Sequence, residues 1–267
     1  MRRLLTFGLL ISGGGCLMSG NYHSAKTLGK GESQVGLTFS ATRYDHVSTD
    51  SSNNTTTTES IVLPELLPEI TYHIGMTDDV EVGGRVALGA LGLEGDVKYR
   101  FFKSDKLHLA IAPALNYQAF IVVQGVGFRL PGILTYELAD NVDFTAAVFG
   151  STTHYSIPGS GSSDFDSFRG TLLSTGGAIG FDLHTETFSI RPSVEFTRYV
   201  ANLSSGSNSG SDSFNTFNVL IHLAWTGGKE KKQLDRIERK LDNLTAPPPG
   251  PPVAPPPGPP AAPPPGT

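Results

Sequence analysis

The chain has 267 residues, 38% of them hydrophobic, with 31 Gly, 19 Pro and one Cys, and its 20 basic and 25 acidic side chains leave a net charge of −5. No apolar run after Ile11 approaches the roughly 20 residues a membrane helix requires, which excludes a helical membrane bundle. The acidic balance speaks against a nucleic-acid partner, and a lone cysteine cannot form an internal disulfide.

Met1-Arg2-Arg3 is a basic start, residues 4–11 are apolar and residues 12–16 are small, the three parts of a secretory signal. Ser12-Gly13-Gly14-Gly15-Cys16 resembles the cleavage box of bacterial lipoproteins. Gly15 and Cys16 match that box, whereas Gly13 stands where the family usually has Leu. The resemblance implies removal of residues 1–15 and acylation of Cys16; an ordinary signal peptide with an incidental cysteine is the alternative. Residues 16–31 are polar and read as a periplasmic lead-in.

Residues 32–226 divide into ten segments in which apolar side chains alternate with polar ones, the period of a strand. In the first, Val35, Leu37, Phe39 and Ala41 share a face opposite Gln34, Gly36, Thr38 and Ser40. The second ends on Ile70, Tyr72 and Ile74 against Glu69, Thr71 and His73, and Pro64 and Pro68 predict an irregularity ahead of them. The third sets Val80, Val82, Val86 and Leu88 against Glu81, Arg85 and Ala87. In the fourth, Leu93, Val97, Tyr99 and Phe101 oppose Glu94, Asp96, Lys98 and Arg100. A long fifth strand is expected over 107–118, and the pattern continues to Phe217, Val219, Ile221, Leu223 and Trp225.

Connections alternate between short turns (76–79, 103–106, 139–141, 185–187) and longer polar runs (46–60, 156–167, 204–213). Aromatic residues on the apolar face gather at strand ends, with Tyr72, Phe101, Tyr136, Phe144, Phe181, Phe188 and Trp225 near the short turns. Tyr117, Phe128, Phe196 and Phe217 form a second belt near the long connections, the distribution that amphipathic rings adopt at two membrane surfaces. Together these features resemble small bacterial outer-membrane β-barrel proteins. The resemblance implies an all-β, antiparallel up-and-down transmembrane barrel of about ten strands, with both termini periplasmic and the long loops outside. A soluble barrel or sandwich is the competing reading.

From 227 to 245 the chain turns charged, and Leu234, Ile237, Leu241 and Leu244 fall at helical spacing. A short surface helix is expected there, or a coiled-coil stub over 229–244 that joins protomers. Residues 246–267 are almost wholly Pro, Gly and Ala, a disordered tail of polyproline character suited to reach a periplasmic or cell-wall partner.

On this strand assignment the inner face carries Glu69, His73, Glu81, Arg85, Glu94, Asp96, Lys98, Arg100, Arg129, Glu137, Asp143, Asp182, Arg191 and Glu195. In so narrow a lumen these charges are expected to pair and fill it, which favours a structural or interaction role over a narrow, porin-like solute channel. Ten strands also resemble the omptin family of outer-membrane proteases, whose catalytic Asp and His lie at the extracellular rim. Asp45, His46, His154, Asp164 and Asp166 lie near the loop end, but none stands in a motif of that family, so no enzymatic activity is expected. Seven scattered histidines show no paired ligand spacing, so neither a metal nor another cofactor is expected, and outer-membrane lipid is the implied partner.

Overall fold

The computed structural model describes residues 23–50, 55–64, 67–88, 92–120, 123–156, 168–205 and 208–228. The signal segment, Cys16, the tail and all but the first two residues of the expected helix lie outside them. The described residues form β1 (Ser33–Asp50), β2 (Thr55–Pro64), β3 (Glu69–Gly75), β4 (Val80–Ala87), β5 (Gly92–Lys103) and β6 (Leu107–Ile111). They continue with β7 (Ala114–Phe120), β8 (Val123–Ala139), β9 (Val142–Ser156), β10 (Phe168–His184), β11 (Phe188–Ser205) and β12 (Asn208–Gly227).

All pairings are antiparallel. β2 and β3 lie end to end against β1, and β6 and β7 lie end to end between β5 and β8, so the strands occupy ten wall positions. β12 then pairs with β1, from Ser33↔Gly227 to His46↔Phe214, and closes the sheet into a barrel. Prolines account for both end-to-end breaks: Pro64 ends β2, Pro68 precedes β3, and Pro113 separates β6 from β7. A proline ring cannot donate to the ladder, so the expected single strand over 107–118 is interrupted while the wall stays continuous.

Three of the short turns share one device. Thr77, Ser104 and Thr185 accept on their hydroxyls the backbone N–H of Val80, Leu107 and Phe188, three residues on, at 3.0–3.1 Å. Local hydroxyl capping of this kind makes a tight turn without an Asn-Gly pair. At the opposite end two connections differ from the expectation: most of 46–60 and of 204–213 is strand rather than loop, paired up to Asp50↔Thr55 and Ser205↔Asn208. These Ser/Thr-rich runs look like loops because they lack an apolar face. Threonine nonetheless suits an extended backbone, and a ladder already begun below them carries on upward.

The two faces are inverted relative to a soluble protein. Outward Phe101, Phe196, Leu93 and Ile179 are more than half exposed, while Arg85, Glu69, Glu195, Asn218 and His222 are exposed by 2% or less. A soluble sandwich would bury the first set, so the outer face is one that meets hydrocarbon. On β12 the outward apolar positions run from Phe217 to Trp225, about 26 Å along the strand. At the strand tilt usual in barrels that spans most of a membrane's apolar thickness. Register aligns the aromatics into girdles: Tyr136, Phe144 and Phe181 are cross-strand neighbours, as are Phe188 and Trp225, with ring centroids 5.9 Å apart for Phe144–Phe181 and 5.3 Å for Phe188–Trp225.

Two glycines in the left-handed region, Gly31 (φ +76°) and Gly228 (φ +90°), mark where the chain enters β1 and leaves β12. Gly227, expected to open the helix, instead ends β12.

Two outcomes follow from this architecture. Unboiled full-length protein in a denaturing gel should migrate differently from the boiled chain, because a closed, fully paired sheet resists detergent. Gly176 faces the bore, where a Cβ would lie 2.5 Å from the Phe196 carbonyl oxygen and 2.6 Å from the Phe149 ring. Gly176→Ala should therefore overpack the wall and destabilise the barrel by about 1–3 kcal/mol, read as a lower urea midpoint of the same gel shift.

Candidate functional site

The bore is filled at three levels. At the short-turn end the filling is a piece of the chain itself, residues 23–28, which leaves the seam at Gly31 and lies inside the barrel. Ala25 is fully buried and donates its backbone N–H to Thr135 Oγ1 at 2.8 Å, and Ser24 Oγ lies 3.2 Å from the same hydroxyl. Leu28 donates its N–H to Glu81 Oε2 at 2.9 Å. Lys26 Nζ reaches Glu137 Oε1 at 2.8 Å and Asp143 Oδ2 at 2.9 Å, carboxylates that also meet His108 and His184. Burial works against the charge on Lys26, but its hydrogen bonds to Glu137 and Asp143 outweigh that penalty and hold its pKa above the ordinary lysine value.

Room for this segment comes from small side chains. Ala25 packs with Ala110, Ala112, Ile133, Ala147 and Ala178, so the inward faces of β8, β9 and β10 and the β6–β7 junction form a shallow bed. The lead-in expected to lie in the periplasm is thus, from His23 to Leu28, part of the barrel's interior. Its polar composition misleads because the bore is itself polar, so burial there demands hydrogen-bonding partners rather than apolar side chains.

At mid-height the filling is ionic. Arg85 Nη1 meets Glu69 Oε2 at 3.0 Å and its Nε meets Glu94 Oε1 at 3.0 Å, a guanidinium clamped between two strands' carboxylates. Lys98 Nζ meets Glu81 Oε2 at 2.9 Å, and His73 Nε2 meets Asp96 Oδ2 at 3.2 Å. Across the bore Arg129 pairs with Glu195 at 3.5 Å and stacks over the Phe149 ring at 4.3 Å, while Asn218 and Thr197 donate to Glu195 Oε1. Arg191 holds Asp182 at 2.8 Å, and Thr38 meets His222 at 2.9 Å.

Of the charged residues expected inside, Glu69, His73, Glu81, Arg85, Glu94, Asp96, Lys98, Arg129, Asp143, Asp182 and Glu195 are buried, and Glu137 and Arg191 are half-buried. Arg100 continues that face at the short-turn end, its side chain only 8% exposed. Its guanidinium braces the β3–β4 turn through Asp79 Oδ1 at 2.7 Å and the Asp78 carbonyl.

Toward the opposite mouth the filling becomes aromatic, a layer with no counterpart in the sequence reading. Tyr155, Leu172 and Tyr199 are buried against Tyr44, Ala201 and Phe214, with Tyr199 stacked on Phe214 at 4.9 Å and Tyr155 donating to Gln118 Oε1 at 2.8 Å. The signal was present in the alternation: Phe149, Thr153 and Tyr155 continue the inward parity of Asp143 once β9 is followed to its end at Ser156. Between this roof and the ionic layer lies a cavity of about 30 Å³, bordered by Glu94, Arg129 and Tyr199 and large enough for about one water.

Asp45 is held by Arg43 at 2.9 Å and by Ser60, and His154 points outward and meets the Thr171 hydroxyl at 3.0 Å. Asp164, Asp166 and the His46 side chain lie outside the described residues.

No protein-family model and no curated protein matches the chain. Solved structures similar to it include the attachment invasion locus protein Ail of Yersinia pestis (10% identity, TM-score 0.31, 74% of this chain and 99% of that one). They also include the outer membrane protease OmpT of Escherichia coli (7%, 0.38, 76% and 99%) and the Neisserial surface protein A (9%, 0.35, 73% and 99%). The closed antiparallel barrel itself is established by the strand pairings of this chain, β12 with β1 among them.

Proposed function

We propose that this chain is an exported outer-membrane barrel with a structural or interaction role, and that it is not an open channel. The observation that carries this reading is the bore, closed in succession by a peptide segment, an ion-pair layer and an aromatic roof. A solute path would need a continuous wet passage, whereas here Arg85 touches two carboxylates with its side chain fully out of solvent. The export signal read from residues 1–16 and the hydrocarbon-facing wall support the location. The Pro-rich residues 246–267 supply reach toward a periplasmic or cell-wall partner, about 3.1 Å per residue in polyproline form.

Full-length protein reconstituted into planar bilayers should be electrically silent. Discrete, ion-selective conductance steps from the wild-type chain would overturn the proposal in favour of a narrow channel. The closed ionic layer also predicts that Arg85→Ala, which removes the cation clamped between Glu69 and Glu94, lowers stability by about 3–5 kcal/mol in a urea titration. For the tail, wild-type protein should co-sediment with purified cell-wall sacculi and a chain ending at residue 245 should not. Equal sedimentation of the two would remove the tail from the interaction.

A further inference from the structure

Two of the seven histidines that look scattered in sequence are brought together by the N-terminal segment. His23 from that segment, His73 from β3 and Glu81 from β4 are all buried, and each offers a ligand atom within 4.8 Å of the others. The rings of His23 and His73 meet edge to face with centroids 5.2 Å apart. Beside them Asp96 Oδ2 lies 3.2 Å from His73 Nε2, the carboxylate–imidazole pairing that commonly orients a metal-binding histidine. Asp96 Oδ1 is buried with no hydrogen-bond partner and lies 3.9 Å from His23 Nε2. Gly83 completes the arrangement, because any Cβ there would collide with the His73 ring.

The surroundings are acidic: Glu69, Glu81, Glu94 and Asp96 on β3, β4 and β5 are all buried, with Arg85 and Lys98 among them. Buried carboxylates are stabilised by a cation placed between them. Two imidazoles with a carboxylate form a donor set for Zn²⁺ rather than for Mg²⁺ or Ca²⁺, which take oxygen ligands. Glu81 is held in place by Lys98 and by the Leu28 N–H, both on its Oε2.

We propose that His23, His73 and Glu81 bind one divalent transition-metal ion of the zinc type inside the bore, with Asp96 as a positioning residue, tying the N-terminal segment to the barrel wall. The site is independent of whether the barrel conducts.

The test is a zinc titration of full-length, tag-free protein, folded in detergent micelles and stripped with a chelator, against a chromophoric zinc indicator. One Zn²⁺ per folded barrel is expected, undisturbed by millimolar Mg²⁺. His23→Ala should weaken binding at least tenfold while leaving the heat-dependent gel shift intact, because His23 lies outside every strand. Asp96→Asn should weaken it less than His73→Ala does. Absence of zinc binding by the folded wild type would overturn the proposal, as would stoichiometric binding that His23→Ala leaves unchanged.

Discussion

The pairing of β1 with β12 is the constraint on which the rest of this structure depends. In hydrocarbon no water is available to satisfy a backbone N–H or carbonyl, so a sheet can cross a membrane only if it has no free edge. Closure satisfies the wall and at the same time fixes the fate of every side chain. Alternate residues meet lipid and their neighbours share a narrow interior with residues from nine other wall positions. The composition follows from this division: mean hydropathy stays near zero because the apolar half of each strand is offset by a polar half.

Closing ten wall positions leaves more interior than side chains of one size can fill, and the two sides of the bore solve this differently. On β3, β4 and β5 the inward positions carry Glu, Arg, Lys, His and Asp, which reach across and pair. From the β6–β7 junction to β10 many inward positions are Ala or Gly, and residues 23–28 lie in the space so made. Long charged side chains on one side and a strip of backbone on the other are complementary fillings, and both need partners. Thr135, Glu81, Glu137 and Asp143 provide them for the segment.

How much of this could be read from the sequence depended on how far along the chain the interacting residues lie. Alternation around Leu93–Phe101 and Phe217–Trp225 assigns faces directly, because side-chain period and strand geometry are the same fact. The pairs Arg85–Glu94 and Glu81–Lys98 are nearly as accessible, since a tight hairpin register sets those residues opposite each other. Pro113 was visible but its effect was not: a proline can sit in a wall without ending it when the next strand resumes on the same partners. The N-terminal segment was hidden because it has no period at all, and its place is dictated by Ala110, Ala112, Ala147 and Ala178, residues whose small size looks unremarkable until they are known to face inward. The cluster of His23, His73 and Glu81 was out of reach for the same reason, since it exists only once the segment is inside.

That segment also settles the electrostatics of the mouth it occupies. Glu137 and Asp143 are close enough to share one ammonium group, and without Lys26 their wall partners are His108 and His184, imidazoles that carry charge only when protonated. Two facing carboxylates in a partly dry mouth repel, and desolvation adds to the cost. Lys26 removes both difficulties at once, at a position where its own charge is favoured by the bonds it makes. Withdrawing the segment would therefore open space only by exposing unmatched negative charge, together with the Thr135 hydroxyl and Glu81 carboxylate it now satisfies. In the filled bore wall and segment neutralise each other, and the same charge pattern makes the interior polar.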